Sequence, residues 1–472
     1  MLAAHRPFSP VVVTAEHIVT YGSLLRMSAA ASELLAALQV PKHAPVPALL
    51  DAGSTAYALW IGGACSRRPL APLAPRSTVA ELSACLREDD APVVLTSPAN
   101  AAVAEELAAA TGRRAVVVDR LAESGEPLDL EGGDPADAVG VLHTSGTTGR
   151  PKRVVLRQQR LAARTVVYAA ALGLDSDSVY ASAASFHHGA GVALLAVALG
   201  TGATTTPMPS RFSVDGWRAV EGLGVTHANV VPAMLQALLD AGALPTGGTL
   251  RTLLYGASRI EADLVRRTLT AVPDVDLVQG YGQTEGGPHT LLTGADHRRA
   301  AADPAQAHLL LSCGRPAPGV RVRIVDGTDG VGAVEVSSPY LFASDPDGWL
   351  ATGDLGRLDD EGYLYLVGRS GEGFVRGGEN VYPAEIERVL VGHPAVRDAA
   401  VVGIPDDRLG HVVGALIVPA DADAPPAPDE LRRYVRGLLA GYKVPVAWRL
   451  VPEIPRNPMG KLLRHRLPDL TD

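Results

Sequence analysis

Apolar positions in the first third of the chain fall into two kinds of run. Ser23 to Leu38 carries its leucines, methionine and alanines at helical spacing, whereas Val93 to Leu95 and Val116 to Val118 are short and continuous, as buried strands are. Their alternation predicts helices layered on a parallel sheet. The acidic, Gly- and Pro-containing stretch Leu121 to Ala138 reads as a surface linker, and it leads into a further strand over Val139 to Leu142. The longest uninterrupted apolar run, Gly189 to Gly200, falls well short of the roughly 20 residues a membrane span needs and reads as a buried helix.

From Val320 onward the pattern changes. Val320 to Val325, Val331 to Val336 and Tyr363 to Val367 are short strand-like runs separated by Gly and Asp turns, which predicts a small antiparallel or β-barrel-like subdomain. Five glycines crowd into Gly368 to Gly378, and the main domain boundary is expected there. Beyond it a helix (Pro383 to Val391), two strands (Ala399 to Gly403 and Val412 to Val418), a Pro/Ala/Asp connector and a helix (Leu431 to Leu439) make a compact α+β unit. The fold class is therefore α/β: a large N-terminal domain of layered α/β sheets with a small β-barrel-like subdomain, then a small α+β C-terminal domain. No period of 20 to 50 residues repeats, which excludes a solenoid or propeller.

With 472 residues the chain is too long for a single ordinary core. At 47% hydrophobic and 20% charged it lies far from the composition of disorder. The N-terminus lacks a basic patch leading into an apolar run, so a cytoplasmic protein with no membrane partner is expected. A net charge of −9 leaves nucleic-acid binding without electrostatic support. Cys65, Cys85 and Cys313 form no CxxC pair and are too few for a disulfide framework or zinc site. Only four of the 42 basic residues are lysine, Lys42, Lys152, Lys443 and Lys461. Where a compact ammonium has a task that a guanidinium fork cannot do, lysine should survive such a bias.

Two of those lysines sit in glycine-containing loops. His143-Thr-Ser-Gly-Thr-Thr-Gly-Arg-Pro-Lys152 follows a strand directly. Its glycines let backbone N–H groups converge on an anion, and Ser145, Thr147 and Thr148 add donors. The spacing is not that of a Walker A loop. Gly280-Tyr-Gly-Gln-Thr-Glu-Gly-Gly287 sets one carboxylate, Glu285, among glycines and hydroxyls, suited to a magnesium ion that bridges phosphate oxygens. Trp349-Leu-Ala-Thr-Gly-Asp354, followed by Gly368-Arg369, offers a carboxylate for ribose hydroxyls with a cation nearby. Pro455-Arg-Asn-Pro-Met-Gly-Lys461 places a lysine in a proline-bounded turn near the C-terminus. Each alone is also compatible with an ordinary polar turn.

Taken together and in this order, the segments resemble the adenylate-forming superfamily of acyl- and aryl-CoA synthetases, nonribosomal adenylation domains and luciferases. The resemblance spans nearly the whole chain and includes Tyr255-Gly-Ala-Ser258, Tyr281-Gly-Gln-Thr-Glu285, Thr352-Gly-Asp354, Gly377-Gly-Glu-Asn-Val-Tyr-Pro-Ala-Glu-Ile-Glu387 and Gly441-Tyr-Lys-Val-Pro445. It implies an AMP-forming ligase that uses ATP, Mg2+ and coenzyme A to activate a small carboxylic acid. Thr144, Ser145, Gly146, Thr147, Thr148, Gly149 and Lys152 would hold the β- and γ-phosphates; Thr284 and Glu285 would serve the α-phosphate and the metal. Gly256, Ala257, Ser258, Tyr281 and Gln283 would line the nucleotide and acyl sites, with Tyr281 over the adenine. Asp354 and Arg369 would take the ribose, and Gly377 and Gly378 would flank the pantetheine arm. Lys461 would bridge the carboxylate and the α-phosphate, delivered by a mobile C-terminal domain. The implied division is 1–368, a hinge at 369–371, and 372–472.

Three positions depart from the family pattern. The expected hinge residue, usually Asp or Lys, is Gly371; the glycine usually found after Lys152 is Arg153, read as a further cation near the phosphates or a solvated one. His187 stands where amino-acid-activating relatives carry an aspartate, which disfavours an α-amino acid and makes His187-His188 a wall or gate of the acyl pocket. That pocket is expected from Ser182 to Gly191, Asn229 to Leu235, Tyr255 to Ser258 and Gly282 to His289. Gly173-Leu-Asp-Ser176 superficially suggests a phosphopantetheine attachment site but ends a helix, with Asp177 where an apolar residue belongs. A carrier protein, an amine, or nitrite activated for diazotisation of an aromatic amine remain alternative acceptors, and monomer and homodimer both stay open. A retired ligase serving as a scaffold would have lost motif residues, yet Lys152, Glu285, Asp354 and Lys461 all stand.

Overall fold

The computed structural model describes residues 6–126, 128, 133–145, 151–209, 212–245, 247–258, 260–328, 330–342, 347–376, 379–406, 408–457, 462–468 and 470. Two sheets dominate the first part of the chain. One has nine strands in the spatial order Arg315–Pro316, Gly287–Leu292, Asp276–Gln283, Thr252–Gly256, His227–Val230, Val179–Ser182, Thr204–Pro207, Pro10–Val13 and Ile18–Thr20. Its six strands from Asp276–Gln283 to Pro10–Val13 run parallel. The other has six strands, Arg114–Val117, Val93–Thr96, Val46–Leu49, Leu70–Pro72, Ala138–Ser145 and Pro151–Arg157, parallel except for the last pair, which is an antiparallel hairpin.

Helices fill the space between the sheets. Thr20 opens the helix Tyr21–Ala37 by accepting from the Ser23 amide, and Thr78 forms a full capping box with Glu81 at the helix Val79–Cys85. The run read as a buried helix is Gly189–Thr201. Its Leu195 packs into a core with Leu24, Tyr57, Trp60 and Phe186, while Leu194 and Val197 enter another with Leu254, Val278 and Val334. A helix apolar all round belongs in such a position. Close packing also explains Gly140, where a Cβ would stand 1.9 Å from the Trp60 ring.

The antiparallel part follows as expected in kind. Arg321–Thr328, Val331–Ser337, Leu350–Leu358 and Leu364–Arg369 form a four-stranded meander. The strand Leu350–Leu358 carries Thr352-Gly-Asp354, which the sequence pattern read only as a motif. Farther on, Pro383–Val391 and Pro428–Leu438 are helices packed with a sheet of Val396–Asp406, Gly410–Pro419 and Ala447–Leu450. Gly173 ends the helix Gln158–Leu172 in the left-handed conformation (φ 68°), so the Gly-Leu-Asp-Ser stretch is a helix stop. No disulfide joins the three cysteines, and no helix among the described residues is long and apolar enough to cross a membrane.

Candidate functional site

Parallel strands deliver their carboxyl ends to one edge of the large sheet, the edge at which open α/β sheets offer a crevice. Ser182, Pro207, Gly256 and Gln283 all terminate strands there. Strand ends at Gly256 and Gly280 approach so closely that a Cβ on Gly256 would lie 2.3 Å from the Gly280 carbonyl. Ala257, next in the chain, adopts φ 67°, a conformation uncommon for a residue with a side chain. Tyr255, expected in the acyl wall, faces the other side of the sheet. Its hydroxyl meets His297 Nε2 at 2.7 Å in the core, and strand alternation sends the neighbouring Leu254 into a different core on the opposite face.

The hairpin expected to hold phosphates lies beside this edge. Thr144 pairs with Lys152 and His143 with Arg153, so the two pairs point to opposite faces. Lys152 is exposed. Thr144 Oγ1 donates to Glu285 Oε1 at 3.1 Å, joining two segments 141 residues apart. This is the one hydrogen bond of the Glu285 carboxylate among the described residues, and it leaves oxygen lone pairs for a cation. Residues 146–150, with Gly146, Thr147, Thr148 and Gly149, lie outside the described residues, as does the Ser145 side chain.

Arg153 is only a third exposed and turns away from the Thr144–Lys152 face. It pairs with buried Asp89 at 3.4 Å on the back of the hairpin, as alternation with Lys152 requires. Burial of the Asp89 carboxyl raises its pKa, opposed by Arg153 and then Arg113. His143, on the same back face, is pushed down to about 4 by burial and then by the Arg153 charge.

Thr284 and Glu285 occupy the turn between the strands Asp276–Gln283 and Gly287–Leu292. The Phe342 amide donates to the Glu285 carbonyl at 2.7 Å, and Arg164 donates to the Thr284 carbonyl at 3.2 Å. Arg164 is 3% exposed and stacks over Phe342 at 4.4 Å. Burial pushes its guanidinium down to about 10. Gly287 (φ 73°) must be glycine, since a Cβ would lie 2.5 Å from Arg164 Nε. Sequence reasoning missed Arg164, though a signal existed: it occupies the buried stripe Leu161, Arg164, Val167 of its helix.

At the far end of the same turn, Tyr281 Oη donates to Asp354 Oδ2 at 2.6 Å, and Arg369 Nε donates to Asp354 Oδ1 at 2.9 Å. Asp354 and Arg369 are partners across neighbouring strands. Burial and then the Asp354 charge raise the Tyr281 phenol well above its ordinary pKa. Thus four sequence-identified segments meet: the hairpin, the Thr284-Glu285 turn, Asp354 and Arg369. The Gly189 backbone, opening its helix, abuts Thr284, where a Cβ would come within 2.7 Å of the hydroxyl. His187 and His188 immediately precede it, rings 4.3 Å apart. Burial, then His188 and Arg76, push His187 down to about 3, so it is neutral at physiological pH. No group of three metal-ligating side chains exists among the described residues.

Gly371 follows Arg369 closely and has φ 80°. Its neighbour Ser370 is tied back by its amide to the Gly353 carbonyl at 2.9 Å. Gly377, Gly378 and Lys461 lie outside the described residues. Residues either side of the lysine turn are anchored: Arg456 binds both oxygens of Asp398 at 2.8 and 3.0 Å, and Arg464 reaches Glu372 and Glu387, each at 3.0 Å. Neither arginine was singled out in the sequence, where both read as part of a general arginine excess.

Residues 2–343 match the family model described as AMP-binding enzyme, and residues 385–461 match the model of the AMP-binding enzyme C-terminal domain. The chain is 32% identical to a fatty acid--[acyl-carrier-protein] ligase, ScoC, of Streptomyces coeruleorubidus, with 99% of this chain and 94% of that protein covered. It is 33% identical to a feruloyl-CoA synthase of an Amycolatopsis species, covering 90% and 86%. Among solved structures, the amide bond synthetase McbA of Marinactinospora thermotolerans superposes with a TM-score of 0.85 at 28% identity, covering 97% and 96%. With both family models matched in order across a chain whose Gly/Thr-rich hairpin, Thr284-Glu285 turn and Asp354 carboxylate converge on one sheet edge, the protein belongs to the family of AMP-binding enzymes.

Proposed function

We propose that this enzyme activates a small carboxylic acid with ATP to an acyl-adenylate and then forms a thioester with coenzyme A. The observation that carries the reading is the Thr144–Glu285 hydrogen bond, which brings a phosphate-type hairpin against a carboxylate. In this reading the N–H groups and hydroxyls of Thr144 to Gly149, with Lys152, hold the β- and γ-phosphates. Glu285 offers its unspent lone pairs to Mg2+, which supplies charge neutralisation at the phosphate oxygens when bound. Thr284, its carbonyl held by Arg164, presents its hydroxyl to the α-phosphate. Tyr281 covers the adenine, and Asp354, oriented by Tyr281 and Arg369, accepts from the ribose hydroxyls. Gly256, Ala257, Ser258 and Gln283 complete the crevice.

A carboxylate oxygen then attacks the α-phosphorus in line, and the bond to the pyrophosphate oxygen breaks. Positioning and preorganised charge supply most of the acceleration for such a step. Lys461, from a small domain assigned to residues 372–472, bridges the two anions. Rotation about 369–371 withdraws it and admits the thiol past Gly377 and Gly378, and AMP leaves as the thioester bond forms. Gly371 already holds a positive φ there, so rotation meets no Cβ. His187 is neutral and walls the acyl side.

The test is ATP- and Mg2+-dependent pyrophosphate release across a panel of acids, with and without coenzyme A, followed by detection of thioester. Lys461→Ala is expected to abolish release while nucleotide binding persists. Release without thioester formation for every thiol offered would overturn the second half. In that event the acceptor is a carrier protein or an amine, a reading favoured by likeness to an acyl-carrier-protein ligase and an amide bond synthetase.

A further inference from the structure

Arg153 stands where the family usually carries glycine, and the proposed chemistry gives it no part. Toward the tip of its hairpin, Leu142 and Val154 are the last cross-strand pair buried in the apolar core. His143 with Arg153 is the next pair, and Thr144 with Lys152 follows. Thr144 and Lys152 therefore ride on a stretch of hairpin beyond that core. Their hold on the rest of the site is the hydrogen bond from Thr144 Oγ1 to Glu285 at 3.1 Å. One hydrogen bond sets a distance and not an orientation, so the stretch needs a second point of support.

That support lies on the opposite face. Asp89 sits between the helix Val79–Cys85 and the strand Val93–Thr96, in a turn that is itself braced. Leu86 and Ala91 on either side are buried, and Arg113 donates to the carbonyls of Leu86, Asp89 and Ala91 at 3.0, 2.5 and 3.1 Å. The Asp89 carboxylate is 1% exposed and accepts no hydrogen bond among the described residues; Arg153 Nη1 meets it at 3.4 Å. A carboxylate buried in this way is costly unless a cation stays close. Arg113 commits its N–H groups to backbone, and the ion pair of Asp89 among the described residues is with Arg153. Movement of the hairpin away from the turn is therefore opposed by the charge it would leave behind.

Resting on the proposed adenylation, we propose that Asp89 and Arg153 are a positioning pair: by anchoring the back of the hairpin they fix Thr144 and Lys152 on its front, where the β- and γ-phosphates of ATP are received. Neither Asp89 nor Arg153 touches the nucleotide. Pleating divides the work, since neighbours in one strand face opposite sides. Without the pair only a fraction of molecules present the hairpin correctly, and the apparent affinity for ATP falls by that fraction. Affinity for the acid, which the hairpin does not hold, stays as it is.

The experiment measures KM for ATP and for the acid, by acid-dependent pyrophosphate release, in the full chain and in Asp89→Asn, Arg153→Met, Arg153→Lys and the double variant Asp89→Asn/Arg153→Met, each first shown to be folded by its urea midpoint. Asp89→Asn and Arg153→Met are each expected to raise KM for ATP about 5- to 10-fold, the scale of one half-buried charge pair, with KM for the acid unchanged. The double variant is expected to do no more than either single one, because both act through one contact. Arg153→Lys keeps a cation opposite Asp89, and since the pair meets by charge and not through a bidentate hydrogen bond, KM for ATP should stay within about 2-fold of wild type. Should Arg153→Met not fold, Asp89→Asn and the double variant, which bury no unpaired carboxylate, carry the test. Unchanged KM for ATP in folded variants overturns the inference, because a purely structural pair would lower the midpoint alone. A rise with Arg153→Met but not with Asp89→Asn overturns it too and makes Arg153 a direct phosphate contact. Equal rises in both KM values, or additive effects in the double variant, also overturn it while adenylation stands. No release with any acid from the wild type overturns the proposed adenylation and this inference together.

Discussion

The two ends of the proposed nucleotide crevice hold their carboxylates differently. At the proposed ribose end Asp354 is 8% exposed and already accepts from Tyr281 and Arg369, one on each oxygen. At the proposed phosphate end the Glu285 carboxylate has a single hydrogen-bond partner among the described residues, the Thr144 hydroxyl, while its backbone is pinned by Phe342 and the preceding carbonyl by Arg164. A carboxylate that receives neutral hydroxyls needs a set orientation, which paired side chains supply. One that receives a cation needs unspent lone pairs, and there the backbone is fixed while the side chain stays available.

Replacing Glu285 tests the contrast most severely. Glu285→Gln keeps the Thr144 contact and removes the charge, so kcat for pyrophosphate release should fall about 100- to 1000-fold, the scale of losing one preorganised electrostatic contact; an unchanged Mg2+ dependence would be incompatible with the assigned role. Asp354→Asn should act chiefly on nucleotide affinity, raising KM for ATP about 10-fold as a charge-assisted bond is lost. If kcat collapsed instead with KM unmoved, the two ends would not divide the work as stated. Tyr281→Phe removes one of two orienting bonds and should raise KM for ATP about 3-fold, measured beside Asp354→Asn.

Behind the hairpin, Arg153→Met leaves buried Asp89 without its paired counter-charge. Unfolding in urea should show a loss of about 2 kcal/mol, discounted from the figure for a fully buried pair because Arg153 is a third exposed. A midpoint unchanged from wild type would return Arg153 to the role of a solvated cation.

Acid sensitivity has the smallest effect per pH unit, and it samples both ends. Burial holds His143 at about 4 behind the hairpin and His289 at about 3 beside Tyr281. Both values lie below the ordinary histidine pKa near 6.5. The unfolded chain therefore binds more protons between those limits, and stability is full above pH 6.5 and declines as pH falls from 6.5 toward 4. Each histidine should contribute about 1 kcal/mol per pH unit across that window. His289→Gln and His143→Gln should each flatten the slope measured by urea unfolding at stepped pH.

Much of the architecture was legible in hydrophobic pattern alone. Periodicity and punctuation located the buried helix Gly189–Thr201, the helix Pro383–Val391 and the change to antiparallel strands after residue 320, because each element's apolar period reflects which faces it buries. Motif order singled out Thr144, Thr284, Glu285, Asp354 and Arg369, and the structure brings their segments to one edge of the large sheet. What only the tertiary structure decided is which of two faces a residue takes and what it meets there. Arg153 and Lys152 are neighbours in sequence, yet pleating sends one to a buried aspartate 64 positions earlier and leaves the other exposed. Arg164 carries no motif and Tyr255 stands in one yet turns into the core, and for both the deciding contacts come from chain segments far away. Such contacts depend on how sheets and helices pack, which no local window of residues contains.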